Sequence, residues 1–182
     1  MRIDPKFFNH FMIVLAVFCI IAIAFASFRY VGKQEQRFLD RLEHSSPGEL
    51  VFTDTQGDTI RIEPDRIVIV LFWSTWSDRS LGVLYDLYRW HDQHPQFEVI
   101  SAYVKDAADF ARVHDRQDVQ RFTLLDGTGA YQDLRVPGVP AAIIFGSGGD
   151  VLYTQVGTKP VAVWHELSSR QQLHYTRKPH EE

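Results

Sequence analysis

An α/β fold, a central mixed β-sheet sandwiched by helices with an N-terminal β-hairpin, preceded by one transmembrane helix, is what the sequence predicts. Three observations predict it. Residues 11–28, FMIVLAVFCIIAIAFASF, carry no charge and reach about the 18 residues a helix needs to cross a hydrocarbon core. The stretch Ile67–Trp73 is an almost unbroken apolar run rich in β-branched residues, the pattern of a strand buried on both faces. Strand-like and helix-like segments then alternate along the chain, which calls for helices layered on a sheet.

Taken in order, residues 1–10 form a short N-terminal tail, 11–31 a transmembrane anchor, 32–48 a juxtamembrane stalk or linker, 49–176 the folded domain and 177–182 a polar C-terminal tail. Phe7, Phe8, Tyr30 and Val31 extend the apolar run, with aromatic rings at interfacial depth. A cleaved signal peptide is the competing reading, because Ala24-Phe25-Ala26 before Ser27 has the form of a cleavage site. The run is longer than the roughly 7 to 15 residues of a signal's apolar region, which favours an anchor. Arg2 and Lys6 precede the span while Arg29, Lys33, Arg37 and Arg41 follow it, so the positive-inside count by itself favours a cytoplasmic domain. Gln34–His44 is polar with Phe38, Leu39 and Leu42 at helical spacing, a continuation of the anchor helix read as a solvated spacer. Ser45-Ser46-Pro47-Gly48 ends it, and the domain is expected to begin near Glu49.

Within the domain, Leu50–Phe52 and Thr59–Ile62 flank a polar turn containing Gly57, the signature of a hairpin. Ser77–His94 places Leu81, Leu84, Tyr85, Leu87, Tyr88 and Trp90 on one helical face before Pro95. Phe97–Val104 reads as a strand, Ala107–Asp118 as a helix and Arg121–Leu125 as a strand ending in the turn Asp126–Gly129. A loop with Pro137 and Pro140 leads to a second hairpin, Ala141–Phe145 and Val151–Val156, around the glycine turn Gly146–Asp150. Lys159–Tyr175 reads as a terminal helix opening at Pro160.

A net charge of −4, with basic residues dispersed along the chain, offers no footprint for a phosphate backbone, so nucleic acid is excluded as a partner. The single cysteine, Cys19, lies inside the apolar N-terminal run. The domain therefore has no internal disulfide, no thiolate metal site and no dithiol active site.

Three stretches, Ile67–Ser80 (IVIVLFWSTWSDRS), Leu134–Phe145 (LRVPGVPAAIIF) and the Gly148-Gly149-Asp150 turn followed by Val156-Gly157, stand in one order and spacing. Together they resemble the membrane-anchored thioredoxin-like proteins of the TlpA/ResA type, over roughly Glu49–Leu173. The resemblance implies a thioredoxin fold, in which an FWAxW segment leads into a Cys-x-x-Cys at a helix start. Ser77 and Ser80 stand at both cysteine positions. It also implies a cis proline at Pro140, preceded by Val139 and facing the former redox pair. Leu71 stands where related thioredoxins often carry an acidic or amide residue. A serine trap made by engineering would be expected to keep that residue, so natural loss of the cysteines is favoured over a deliberate replacement.

Disulfide exchange needs one thiolate to attack and a second thiol to resolve the mixed disulfide, and serine hydroxyls do neither. No catalytic residue and no cofactor is expected. What remains is a groove of Trp76, Ser77, Asp78, Arg79, Ser80, Val139 and Pro140, suited to an extended peptide or protein partner, because pairing along a backbone edge requires no thiol. The resemblance implies a single-pass protein of the bacterial inner membrane with its domain in the periplasm. Two alternatives stay open: oxidoreductase activity that depends on a partner's cysteines, and a structural subunit of a membrane complex.

Blander roles compete at each residue. Ser77 as a hydrolytic nucleophile lacks a base, since His91 is 14 residues along the helix, about 21 Å away. Capping the helix suits Ser77 better, with Asp78 favourable in the first turn. His91 and His94 share a face but have no third ligand beside them, so a solvated helix end is expected and no metal site. Trp73 is expected in the core and Trp76 at the surface.

Overall fold

The structure is a computed structural model that describes residues 5–62, 65–104, 110, 112–113, 119 and 121–167, the side chains of 5–10 and 31 excepted. It divides into two compact units, Met1–Arg37 and Phe38–Glu182. The first is helical, its apolar side chains from Phe11 to Phe28 turned outward, and it is long and apolar enough to cross a membrane. The helix, α1, has the bounds Pro5–Glu43.

The second unit is built on a seven-stranded mixed sheet, in the spatial order β2-β1-β5-β4-β3-β6-β7. The strands are β1 (Val51–Thr53), β2 (Thr59–Arg61), β3 (Val68–Trp73), β4 (Glu98–Tyr103), β5 (Thr123–Asp126), β6 (Ala141–Phe145) and β7 (Val151–Val156). The central strand β3 pairs in parallel with β4 and antiparallel with β6. All six residues of β3 are buried. Ile69, Leu71 and Trp73 meet Leu84 and Leu87 of helix α2 (Asp78–His91) and Trp164 of the helical segment 163–167. Val68, Val70 and Phe72 point the other way, into a core with Phe52 of β1 and Leu134 of helix α3 (Thr128–Leu134). The period-two alternation of strand side chains thus explains the unbroken apolar run.

That second core contains Phe38 and Leu42, 1% and 2% exposed. Arg41 Nη1 donates to the Asp133 carbonyl at the end of α3 at 2.7 Å. The folded unit therefore starts at Phe38, before the boundary near Glu49, and the last turns of the presumed stalk are core rather than a solvated spacer. Positions 38 and 42 are one helical repeat apart, so a single face meets the sheet.

Both hairpins form as expected. In the first, Asp54 accepts the N–H groups of Gln56 and Asp58 at 2.8 and 2.9 Å, and Gly57 adopts φ +87°. In the second, Gly146 N–H donates to Asp150 at 2.8 Å, and β6 and β7 stay in register to Ile144 before a bulge.

Three elements differ from expectation. The segment after Gly127 is α3 and not a loop, because Asp126 Oδ1 accepts the Thr128 N–H at 2.8 Å and Ala130 and Leu134 are buried one turn apart. Gly127 itself is required by packing, since a Cβ there would lie 2.8 Å from that of Ala102. Strand β5 starts at Thr123, since Arg121 turns to Asp92 at 2.9 Å and Phe122 packs on Tyr88. The terminal helix opens at residue 163 and not at Pro160, because the Gln155 side chain accepts the Val163 N–H at 2.9 Å. Its expected continuation to Tyr175, and most of the expected helix Ala107–Asp118, lie outside the described residues; of the latter, Phe110 and Val113 are buried.

Candidate functional site

The end of β3, the start of α2 and the loop before β6 define one corner of the sheet. The antiparallel register pairs Phe72 with Ala141, which sets Pro140 beside the end of β3 where residues 74–77 begin. The Val139–Pro140 peptide bond is cis. Pro140 is buried and its carbonyl accepts the Gly157 N–H at 2.8 Å. Val139 is half-buried, and among the described residues its backbone joins none of the strand or turn hydrogen bonds.

Ser77 has extended backbone and is the N-cap of α2, its hydroxyl accepting the Ser80 N–H at 3.3 Å. A serine here satisfies one of the free N–H groups of the first turn, and Asp78 complements the positive end of the helix. Ser80 is fully buried, and its hydroxyl has no hydrogen-bond partner among the described residues. The same holds for Ser74. A buried hydroxyl without a partner costs about 1–3 kcal/mol relative to a satisfied one. Trp76 is 65% exposed, with Asp78 and Arg79 exposed beside it.

Beneath this corner two polar pairs form. Trp73 Nε1 donates to Ser101 Oγ at 2.6 Å, and Thr75 Oγ1 lies 3.2 Å from the Tyr103 hydroxyl. Leu71, adjacent in β3, is fully buried against α2. A hydrophobe there closes the core with no titratable group between strand and helix.

His91 at the end of α2 and His94 just after it are both engaged. His94 stacks on Trp90 with ring centroids 4.4 Å apart, and its Nδ1 lies 2.8 Å from the Trp90 carbonyl. His91 Nε2 meets the Phe97 carbonyl at 3.0 Å. Among the described residues, no three His, Cys, Asp or Glu side chains converge on one point. The single cysteine, Cys19, lies in the first unit.

One wall of a further concavity was missed from sequence. A cleft of about 410 Å³ lies between α2, at Arg79, Val83 and Asp86, and the segment after β7, at Thr158, Lys159 and His165. These two segments are some 75 residues apart in the chain, and the pairing of β3 with β6 and of β6 with β7 brings them together.

No family model and no curated protein matches the sequence. Solved structures do match. A thiol-disulfide oxidoreductase from Bacteroides fragilis NCTC 9343 aligns with TM-score 0.56 and 16% identity, over 69% of this chain and 99% of that one. A putative thiol:disulfide interchange protein DsbE from Chlorobium tepidum gives 0.55 and 16%, over 72% and 94%. MTB dsbF, solved in mixed oxidised and reduced forms, gives 0.53 and 17%, over 71% and 98%. At these identities the likeness is one of fold: the folded unit has the thioredoxin-like fold of thiol-disulfide oxidoreductases, here on a chain with one cysteine, which lies in α1.

Proposed function

We propose that this chain is a membrane-held thioredoxin-like binding module, which takes an extended peptide segment of a partner protein along the corner formed by Trp76–Ser80 and Val139–Pro140. The observation that carries the reading is a thiol-free site flanked by an exposed indole. Trp76 offers a large apolar face 65% open to solvent, while the positions beside it hold hydroxyls. The unengaged backbone of Val139 supplies a donor and an acceptor for strand-like pairing. Aromatic side chains of this kind anchor interfaces because they bury much area for few rotatable bonds. In this reading α1 spans the bacterial inner membrane and the folded unit lies on its periplasmic face, as in the TlpA/ResA type that the motifs resemble.

Site-directed photocrosslinking in intact membranes tests it. A photoreactive residue at Asp78 is expected to capture a partner, and one at Gln93, exposed just beyond the end of α2, is not. Trp76→Ala should remove the Asp78 adduct. Equal capture at both positions, or none at Asp78, rejects the groove and leaves assembly through α1 as the function.

A further inference from the structure

Arg79, Val83 and Asp86 follow one another at four- and three-residue steps, so they share a face of α2 and form one wall of the 410 Å³ cleft. Its size is that of a pocket for a side chain or small ligand. The polar groups around it divide into two kinds. Those in the first are already engaged: Gln155 accepts from Val163 at 2.9 Å and donates to the Gly157 carbonyl at 3.3 Å. Asp86 lies 3.2 Å from His165 Nε2 and 3.5 Å from Arg89 Nη2. Those in the second are not: Arg79 and Lys159 line the cleft, are exposed, and make no hydrogen bond or ion pair among the described residues. A carboxylate already flanked by a histidine and an arginine leaves the positive charge of this mouth in excess.

The cleft and the proposed peptide groove have Arg79 in common. Arg79 follows Ser77 by two residues, and Lys159 follows Gly157, whose N–H is bonded to the Pro140 carbonyl at 2.8 Å. A bound segment that reaches Arg79 therefore meets the cleft that Lys159 also lines.

We propose that this cleft is the specificity pocket of the groove and takes an acidic side chain, Asp or Glu, of the bound peptide. Arg79 presents the planar N–H fork that matches a carboxylate, and Lys159 adds a point charge across the opening. This rests on the groove reading, and it adds the chemistry of the peptide.

The test uses the full chain in detergent and a synthetic library of hexapeptides randomised at every position. Peptides retained by the unaltered chain should carry Glu or Asp at one position, and changing that residue to Gln should weaken binding about tenfold. Lys159→Glu should move the preference at that position toward Lys or Arg. Peptides retained without an acidic preference, or a preference indifferent to Lys159→Glu, overturn the pocket while leaving the groove standing. Retention of no peptide at all rejects both.

Discussion

Ser77 and Ser80 stand three residues apart and differ in what their hydroxyls touch. Ser77 Oγ caps α2, whereas Ser80 Oγ is buried with no partner among the described residues. Ser77→Ala should therefore lower stability by about 1 kcal/mol through the lost cap. Ser80→Ala removes an unsatisfied buried hydroxyl from the first turn of α2 and should raise stability by about 1 kcal/mol. Urea melts of the two variants check the opposite signs. Tyr131 of α3 provides the pH dependence: burial raises its phenol above the ordinary 10.0. The unfolded phenol then loses its proton first, so this contribution is fully present below pH 10.0 and is lost as pH rises through the folded value. Stability followed by urea melts from about pH 8 to about pH 11 should fall less in Tyr131→Phe than in the unaltered chain. At this scale the sequence was informative wherever one residue has a local job. Ser77 is beside its helix and Trp76 is in a loop, so both were readable. The missing partner of Ser80 was not, because burial depends on elements far along the chain.

Elements with a clean period were legible, and those defined by a distant contact were not. The apolar run of β3, the stripe of α2 and both glycine turns each carry their pattern within a few residues. Helix α3 was concealed by Gly127 and Gly129, although Asp126, whose side chain accepts the Thr128 N–H, and the spacing of Ala130 and Leu134 were available signals. The start of the terminal helix depends on the Gln155 side chain in β7, eight residues upstream of the N–H it accepts, and no local pattern encodes that. The end of α1 is the largest departure. Phe38 and Leu42 look like the apolar face of an exposed amphipathic stalk, and only the sheet shows that the face is occupied. Leu42→Ala should cost about 2–5 kcal/mol, the range for a fully buried leucine, against a few tenths for Leu39→Ala, since Leu39 is exposed. Thermal melts of the two variants distinguish a core helix from a spacer.

The whole molecule joins a candidate membrane span to a thioredoxin-like unit in which, on the proposed reading, Ser77 and Ser80 stand at the positions of a redox pair. Its sheet order brings the cis Val139–Pro140 bond and the capped start of α2 to one corner of the folded unit. The chain has one cysteine, in α1, so a single chain cannot form a dithiol pair. Fold and motif order were readable from sequence since the strand, the serine pair and the proline are linear signals. The cleft beside them was not, since Arg79 and Lys159, far apart in sequence, come to one cleft only in the folded unit. The most direct measurement is disulfide turnover by the full chain in detergent with dithiothreitol as reductant, compared with its S77C/S80C double variant. The account predicts background turnover from the unaltered chain and turnover well above it from the double variant, whose two restored thiols occupy the exchange geometry. Turnover by the unaltered chain equal to that of the double variant would contradict it.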